Sequence, residues 1–502
     1  MIQNYWFYLR FISTFFITLF ITQSLLFAAP VETVTNRNDT GAGSLRQAIA
    51  EVDTNGKIVF DIAGPGPNTI VVSTPLEIDK SMTISGPGQN LLTVMTGGGI
   101  DQVIIVSDNN PAQSPVAISD LTVHGDMDTF SGILNRENLT LNHLTVTGSS
   151  DGITNSGQNS VGAVLRINNS NLTRNFQSGI FVFGGLEPGA AGGHVTINNS
   201  LISDNSDFGI LNFTPQHEFA QGSKVVVTNT TISANKFGII NNTGSGARGN
   251  VGSITEVYNS TITKNSGQMG TANGNAIFNT GGTAEDAAGG KVIVHNSTLS
   301  DNDGPAITIS PGSTSSPGST SSITQISSTT VSGNVFALLY LPGGPSIPVV
   351  EVKNSIFANS KKAPDALFPS NCAPDTVTLT SLGVNISTDG TCAGFVEVTP
   401  DELNLGPLQD NGGPTETQAL MPPSSAIGGV NDCTFINGEQ VLTDQRGFLR
   451  PEFNCDVGAF EFDGISPDAR NIPTLSEWGA ITTVLLLGLA MIYFYSRNKK
   501  LV

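Results

Sequence analysis

Apolar and polar residues alternate along the middle of the chain with the two-residue period of a strand, not the 3.6-residue period of a helix. In Val195-Thr-Ile-Asn-Asn-Ser-Leu-Ile-Ser-Asp-Asn205, Val195 and Ile197 point one way, Thr196 and Asn198 the other. Val, Ile and Thr suit a pleated, half-buried surface. The stretch recurs: residues 166–175 precede it, residues 227–235, 257–265, 294–302 and 326–334 follow, and residues 352–359 are a copy one residue shorter. The shared frame is apolar, x, Asn, Ser/Thr, x, apolar, x, x, Asn. A short strand follows each copy, usually opening with a small residue before an aliphatic: Gly179-Ile180, Gly209-Ile210, Gly238-Ile239, Ala276-Ile277, Ala306-Ile307 and Ala337-Leu338.

Self-similarity at a period of about 30 residues marks a stacked repeat. One such coil cannot bury its own apolar face; stacking coil on coil buries it and pairs the backbone of each rung with its neighbours. The pattern therefore predicts an all-β, parallel β-helix (solenoid), with rungs about 4.8 Å apart and right-handed by the usual crossover preference. The fixed Asn is expected to supply the left-handed backbone of a sharp corner and an amide ladder along the stack.

The start of the body reads as a cap. Ser44-Leu-Arg-Gln47 has the spacing of a capping box; Leu45, Ile49 and Val52 share one helical face, and Ile58-Val-Phe60 reads as the first strand. Less regular turns include Met82-Thr-Ile-Ser-Gly86, Ile118-Ser-Asp-Leu-Thr-Val-His-Gly125 and Leu141-Asn-His-Leu-Thr-Val-Thr-Gly148. Glycine-rich excursions at 184–193, 243–252 and 281–290 enter at one point of the coil, and 311–322 enters at an equivalent place. They are expected on one side of the stack, either as a binding face or as tolerated loops.

Composition narrows the setting. The 502-residue chain carries a net charge of −19, so it lacks the basic footprint that nucleic acid requires. Residues 1–29 hold one charge, Arg10, then an apolar run and Ala28-Ala29-Pro30, the layout of a secretory signal peptide. Cys372, Cys392, Cys433 and Cys455 all lie after the repeats. An even number in an exported chain suggests disulfides; 372–392 with 433–455 is the simplest of three pairings, and the sequence does not choose. No CxxC pair supports a Cys-only metal site.

Three stretches resemble known bacterial surface proteins. Thr35-Asn-Arg-Asn-Asp39-x-Gly-x-Gly-Ser-Leu-Arg-Gln-Ala-Ile49 is similar to the opening of β-helix proteins with a CSLREA-like N-terminus, without the Cys of that name. Asp444-Gln-Arg-Gly447-x-x-Arg450 with Asp456-Val-Gly-Ala-Phe-Glu461 resembles a choice-of-anchor Q region. Ile472-Pro473-Thr474-Leu475-Ser-Glu-Trp478-Gly479, the apolar run 480–495 and the basic Arg497, Lys499 and Lys500 resemble the IPTL-CTERM sorting signal of Gram-negative bacteria. That resemblance implies export through the inner membrane, a C-terminal transmembrane helix near the lower length limit with its basic end cytoplasmic, and recognition by an exosortase-type protease. The implied layout is signal peptide 1–29, capped β-helix 30–365, C-terminal region 366–465 and sorting segment 466–502. Arg446, Arg450, Asp456 and Glu461 are expected to be charged pairs closing the last coil.

β-Helices include polysaccharide-degrading enzymes, whose sites collect carboxylates at a common offset on adjacent coils, where they hold calcium or act as acid and base. The residue before the closing Asn reads Arg174, Asp204, Ala234, Lys264, Asp301, Gly333; the third frame position reads Asn171, Leu201, Thr231, Thr261, Thr298, Thr330. Neither column is catalytic in kind. Both tryptophans, Trp6 and Trp478, lie in the terminal segments, and Phe208 and Phe237 are expected in the core. His124 and His143 could meet on neighbouring coils. No catalytic, cofactor or metal residue is assigned. The leading expectation is a non-catalytic, surface-sorted protein of the cell surface or extracellular space, acting in adhesion or an envelope matrix and binding a polysaccharide or protein ligand. The alternative is an extracellular polysaccharide lyase or glycoside hydrolase.

Overall fold

The computed structural model describes residues 30–466, apart from 65, 109–112, 158–160, 214–216, 243–247, 267–273, 313–317, 342–346, 362–368 and 374–377. The expected signal peptide, the expected sorting motif and the apolar run 480–495 lie outside the described residues. Among those described, no helix is long and apolar enough to cross a membrane.

The body is a parallel β-solenoid. Each regular turn carries three strands, exemplified by His194–Asn198, Leu201–Ser203 and Phe208–Phe213. Each pairs in parallel, in register, with its counterparts in the turns before and after, as Val195 does with Leu165 and Val225. The first two lanes merge into a 24-stranded sheet; the third is an 11-stranded sheet, one strand per turn. Ile167, Ile197, Val227, Val257 and Val294 form one of the fully buried columns at the centre.

Two corners that the sequence attributes to one asparagine are divided between two positions. At the first corner, Asn199, Asn229 and Asn259 take left-handed φ of 48°, 50° and 49°. At the second corner the left-handed residue is the one before the closing Asn: Arg174, Asp204, Ala234 and Lys264, φ 55–58°. The closing asparagines turn inward and form the ladder. Asn205 Oδ1 accepts from Asn175 N and Nδ2, at 3.1 and 2.9 Å. Asn235, Asn265, Asn302 and Asn334 repeat this in succession. The frame's Ser/Thr has its own column: Ser200 Oγ donates to Asn198 O at 2.8 Å and accepts from Ser170 N at 3.2 Å. These side chains satisfy backbone groups that a corner leaves out of the sheet ladder.

A second amide ladder, absent from the sequence reading, ends the third lane: Asn212 Nδ2 donates to Asn241 Oδ1, and Asn241 Nδ2 to Asn279 Oδ1. The excursions do share one corner, between the third and first lanes, but they are not separate loops. They stack as a ridge, with Gly189 N donating to Glu218 O, Phe219 N to Arg248 O and Gly249 N to Glu285 O, at 2.9–3.0 Å. Glycine is required beside it. A Cβ on Gly192 would lie 2.3 Å from Gly222 O, and one on Gly252 2.1 Å from Gly289 O.

The cap helix spans Leu45–Glu51, with Ser44 Oγ accepting from Gln47 N. The reciprocal half of the capping box is absent, because Gln47 donates instead to Glu51. Leu45, Ile49 and Val52 close the core as expected. The first strand is Val31–Val34, paired with Gly56–Phe60, so Ile58-Val-Phe60 belongs to the second. At the far end the stack continues past residue 365: Thr378–Leu382 and Ile386–Ser387 still pair in parallel with Val349–Lys353 and Ile356–Ala358. The disulfides are Cys372–Cys392 and Cys433–Cys455.

Candidate functional site

Three outward faces could carry function. The second lane is occupied by the chain itself. After the helix Pro400–Leu403 and the hairpin Leu405–Gln409/Thr417–Leu420, the polypeptide folds back along the later turns as a strap. Gln445 and Lys353 both tie it down; Lys353 Nζ pairs with Asp432 at 2.8 Å and donates to Thr434 Oγ1 at 2.7 Å, and Gln445 bridges two turns. Its Oε1 accepts from Thr298 Oγ1 at 2.6 Å, and its Nε2 donates to Thr261 Oγ1 and Thr415 Oγ1, both at 2.9 Å. Ala459 N donates to Thr330 Oγ1. The threonine column is thus a docking rail; Thr261, Thr298 and Thr330 are buried, whereas Asn171, Leu201 and Thr231 are half-buried.

The charged residues of the choice-of-anchor-like motif hold the strap together and do not close the last coil. Asp444 accepts from Arg446 Nε at 2.8 Å and Glu461 N at 3.1 Å. Arg446 lies between the rings of Phe448 and Phe460, at 4.1 and 3.7 Å. Arg450 Nη1 pairs with Glu461 Oε2 at 2.8 Å and donates to Asp456 O, while Nη2 donates to Gly458 O. Burial pushes Glu461 up to about 7, with Arg450 pulling the other way; burial also raises Asp456. These partners are internal, which makes the cluster structural.

Phe435 of the strap stacks on His295, centroids 4.3 Å apart, and Tyr258 meets the imidazole edge-on. Burial, then the Lys291 charge, lowers His295 from 6.5 to about 4. The unfolded imidazole therefore binds a proton that the folded one refuses between those values. The stabilisation is complete above pH 6.5 and is lost as pH falls towards 4, by about 3 kcal/mol in all. Relative to wild type, His295→Phe should keep the strap protected from limited proteolysis at pH 4.5; equal cleavage of the two at that pH would refute this.

The first lane's outer face holds Lys224, Glu256, Tyr258 and His194. Lys224 Nζ pairs with Glu256 Oε1 at 2.8 Å, and Tyr258 OH donates to Glu256 Oε2 at 3.3 Å. Burial, then Glu256, pushes the Tyr258 hydroxyl up to about 12, and burial with the Lys224 and Arg166 charges lowers His194. His124 and His143 do not meet. His124 registers with Thr147, while His143 sits at the preceding corner, 3.7 Å from Asp120. Among the described residues, no three His, Cys, Asp or Glu are grouped to hold a metal ion.

The third lane presents the feature that the sequence reading placed in the core. In Ser178–Phe183, Ile180 and Val182 point inward, leaving Phe181 and Phe183 outside. Phe208 and Phe237 also face outward, half-buried, with stacked rings 5.6 Å apart. With Phe213, Ile240, Phe278 and Leu341 they line a groove of about 460 Å³.

No family model matches the chain, and no curated protein matches it. Solved structures do. A pectate lyase, Pel9A, is 12% identical over 86% of this chain and 97% of its own, with a TM-score of 0.47. A thermostable GH87 α-1,3-glucanase from Streptomyces thermodiastaticus is 14% identical over 74% and 70%, TM-score 0.44. The A-module of the mannuronan C-5 epimerase AlgE6 from Azotobacter vinelandii is 13% identical over 68% and 100%, TM-score 0.34. The likeness is one of fold, shared with lyases and epimerases at low identity.

Proposed function

We propose that the chain is an exported, non-catalytic β-helix that displays a contact face, in adhesion or in an envelope matrix. The observation that carries this reading is the outward row of phenylalanines on the third lane. Parallel sheets are ordinarily covered on both faces, and an apolar outer face on a rod suits contact with a partner. Two disulfides suit an oxidising, extracytoplasmic compartment. In this reading Ile472, Pro473, Thr474, Leu475, Trp478 and Gly479 direct sorting by an exosortase-type protease.

The rival reading, a polysaccharide lyase or hydrolase, has its best footing in the first-lane cluster. There Lys224 is engaged by Glu256, and Tyr258 keeps its proton far above neutral pH, so neither is a ready base. Purified protein incubated with pectate, alginate and neutral glucans, with and without calcium, should release no unsaturated or reducing ends. Release that disappears in Lys224→Ala would install the rival.

A further inference from the structure

The third-lane groove is uncharged, although the chain as a whole carries −19. Its lining combines aromatic and aliphatic walls with polar groups from Asn242, Asn275 and Thr308. Asn275 is 1% exposed; its Nδ2 donates to Thr308 Oγ1 at 3.0 Å, and its Oδ1 has no partner among the described residues. A buried acceptor without a donor is costly, and an occupant bearing a donor would relieve it. The groove's volume, about 460 Å³, lies in the range of small-ligand sites, about 300–1,000 Å³, as does its mix of apolar walls and few polar groups. The rings of Phe208 and Phe237 repeat from one turn to the next, 5.6 Å apart and 25° from parallel.

We propose that this groove binds a short stretch of uncharged polysaccharide. Sugar ring faces lie on Phe208, Phe213 and Phe237, and one hydroxyl satisfies the Asn275 acceptor. The proposal rests on the display reading and names its ligand class. A pyranose face presents C–H bonds whose slight positive charge suits the negative face of an aromatic ring, while its rim carries hydroxyl donors. An acyl chain has no donor for Asn275. A polyuronate would bring carboxylates into a groove that offers them no cation, at a desolvation cost.

The test is titration calorimetry of the purified protein with two neutral glucans, cellohexaose and laminarihexaose, alongside hexagalacturonate and decanoate. At least one neutral hexasaccharide should bind saturably and unchanged in roughly 0.5 M NaCl, where exposed charges are screened. Phe213→Ser and Phe237→Ser should each weaken it about tenfold, the equivalent of one lost ring contact. Phe237→Tyr should retain binding, and equal melting temperatures should show that these half-buried positions do not decide folding. The proposal falls if neither neutral sugar binds or if the serine variants bind as wild type does. It also falls if hexagalacturonate or decanoate binds more tightly, or if sedimentation shows that Phe237→Ser abolishes a dimer that had buried the groove. The binding outcomes leave the display reading standing, because sugar release decides between it and the enzyme reading; a dimer that buries the groove would take away the contact face as well.

Discussion

Asn235→Ala is expected to lower the melting temperature of the solenoid more than any substitution of an outward-facing residue in the same turn. Asn235 is fully buried. Its Oδ1 accepts from both Asn205 N and Asn205 Nδ2, and its Nδ2 donates to Ile202 O and Asn265 Oδ1. Alanine removes all four bonds, strands Asn205 N away from water at about 1–3 kcal/mol, and leaves Ile202 O with only its sheet partner. The total is on the order of 3–5 kcal/mol, in the exceptional tail for a point substitution. Asn235→Asp should be at least as damaging, because it sets an acceptor against Ile202 O and Asn265 Oδ1. Lys264→Ala, at the neighbouring corner, provides the control. Calorimetric scans of the three variants decide the matter: similar midpoints for Asn235→Ala and Lys264→Ala would mean that backbone pairing alone holds the stack. A solenoid need not unfold in one step, so amide exchange in the turns on either side should show the loss spreading locally before the whole array melts.

The stack was legible in the sequence because its inward columns are strict. Val195 and Ile197 alternate with polar neighbours, and shifting their register by one residue would expose every core side chain. The corners were half legible. Asn199 and Asn205 share a frame and a residue type, yet one is chosen for its backbone and the other for its amide; sequence shows the recurrence but not the division. The mixed column of Arg174, Asp204, Ala234 and Lys264 conceals a shared left-handed conformation, since its side chains meet no packing demand. The outer face of the third lane was illegible for a different reason. Phe181 lies between Ile180 and Val182, all three apolar, so alternation could not tell inside from outside. The ridge of excursions was hidden because its bonds run from backbone to backbone between turns. The docking of Gln445 on Thr261 and Thr298 joins residues 184 and 147 positions apart, beyond any local pattern. Local disulfide pairing was the simplest of the open alternatives, and it is the one formed.

The strap supplies the second large effect, through Arg450. Its guanidinium is buried against Glu461, Asp456 O and Gly458 O. Removing one partner of a buried pair leaves the other charge uncompensated, at about 3–5 kcal/mol. Arg450→Ala should therefore loosen the strap while the coils beneath remain folded, because the arginine's partners belong to the strap and none to the stack. Limited proteolysis should cut between residues 400 and 466 and spare the body. Amide exchange should rise at Ala459, whose N–H is bonded to Thr330. The pH dependence carries a sign. Burial already holds Glu461 up to about 7 even with Arg450 beside it; without the cation its pKa rises further. A group whose folded pKa is raised favours folding below its unfolded value, here 4.5, and that stability is lost as pH climbs. Relative to wild type, whose His295 contribution it shares, the variant's strap should accordingly lose least in mild acid and most towards neutrality. Pairing Arg450→Met with Glu461→Met removes the stranded charge and should restore part of the loss, but not all of it, since the two carbonyls still lack a donor. A strap in Arg450→Ala that resists protease as wild type does at pH 7 would show that its contacts with the stack, those of Gln445, Lys353 and His295 among them, and not this charge network, keep it in place.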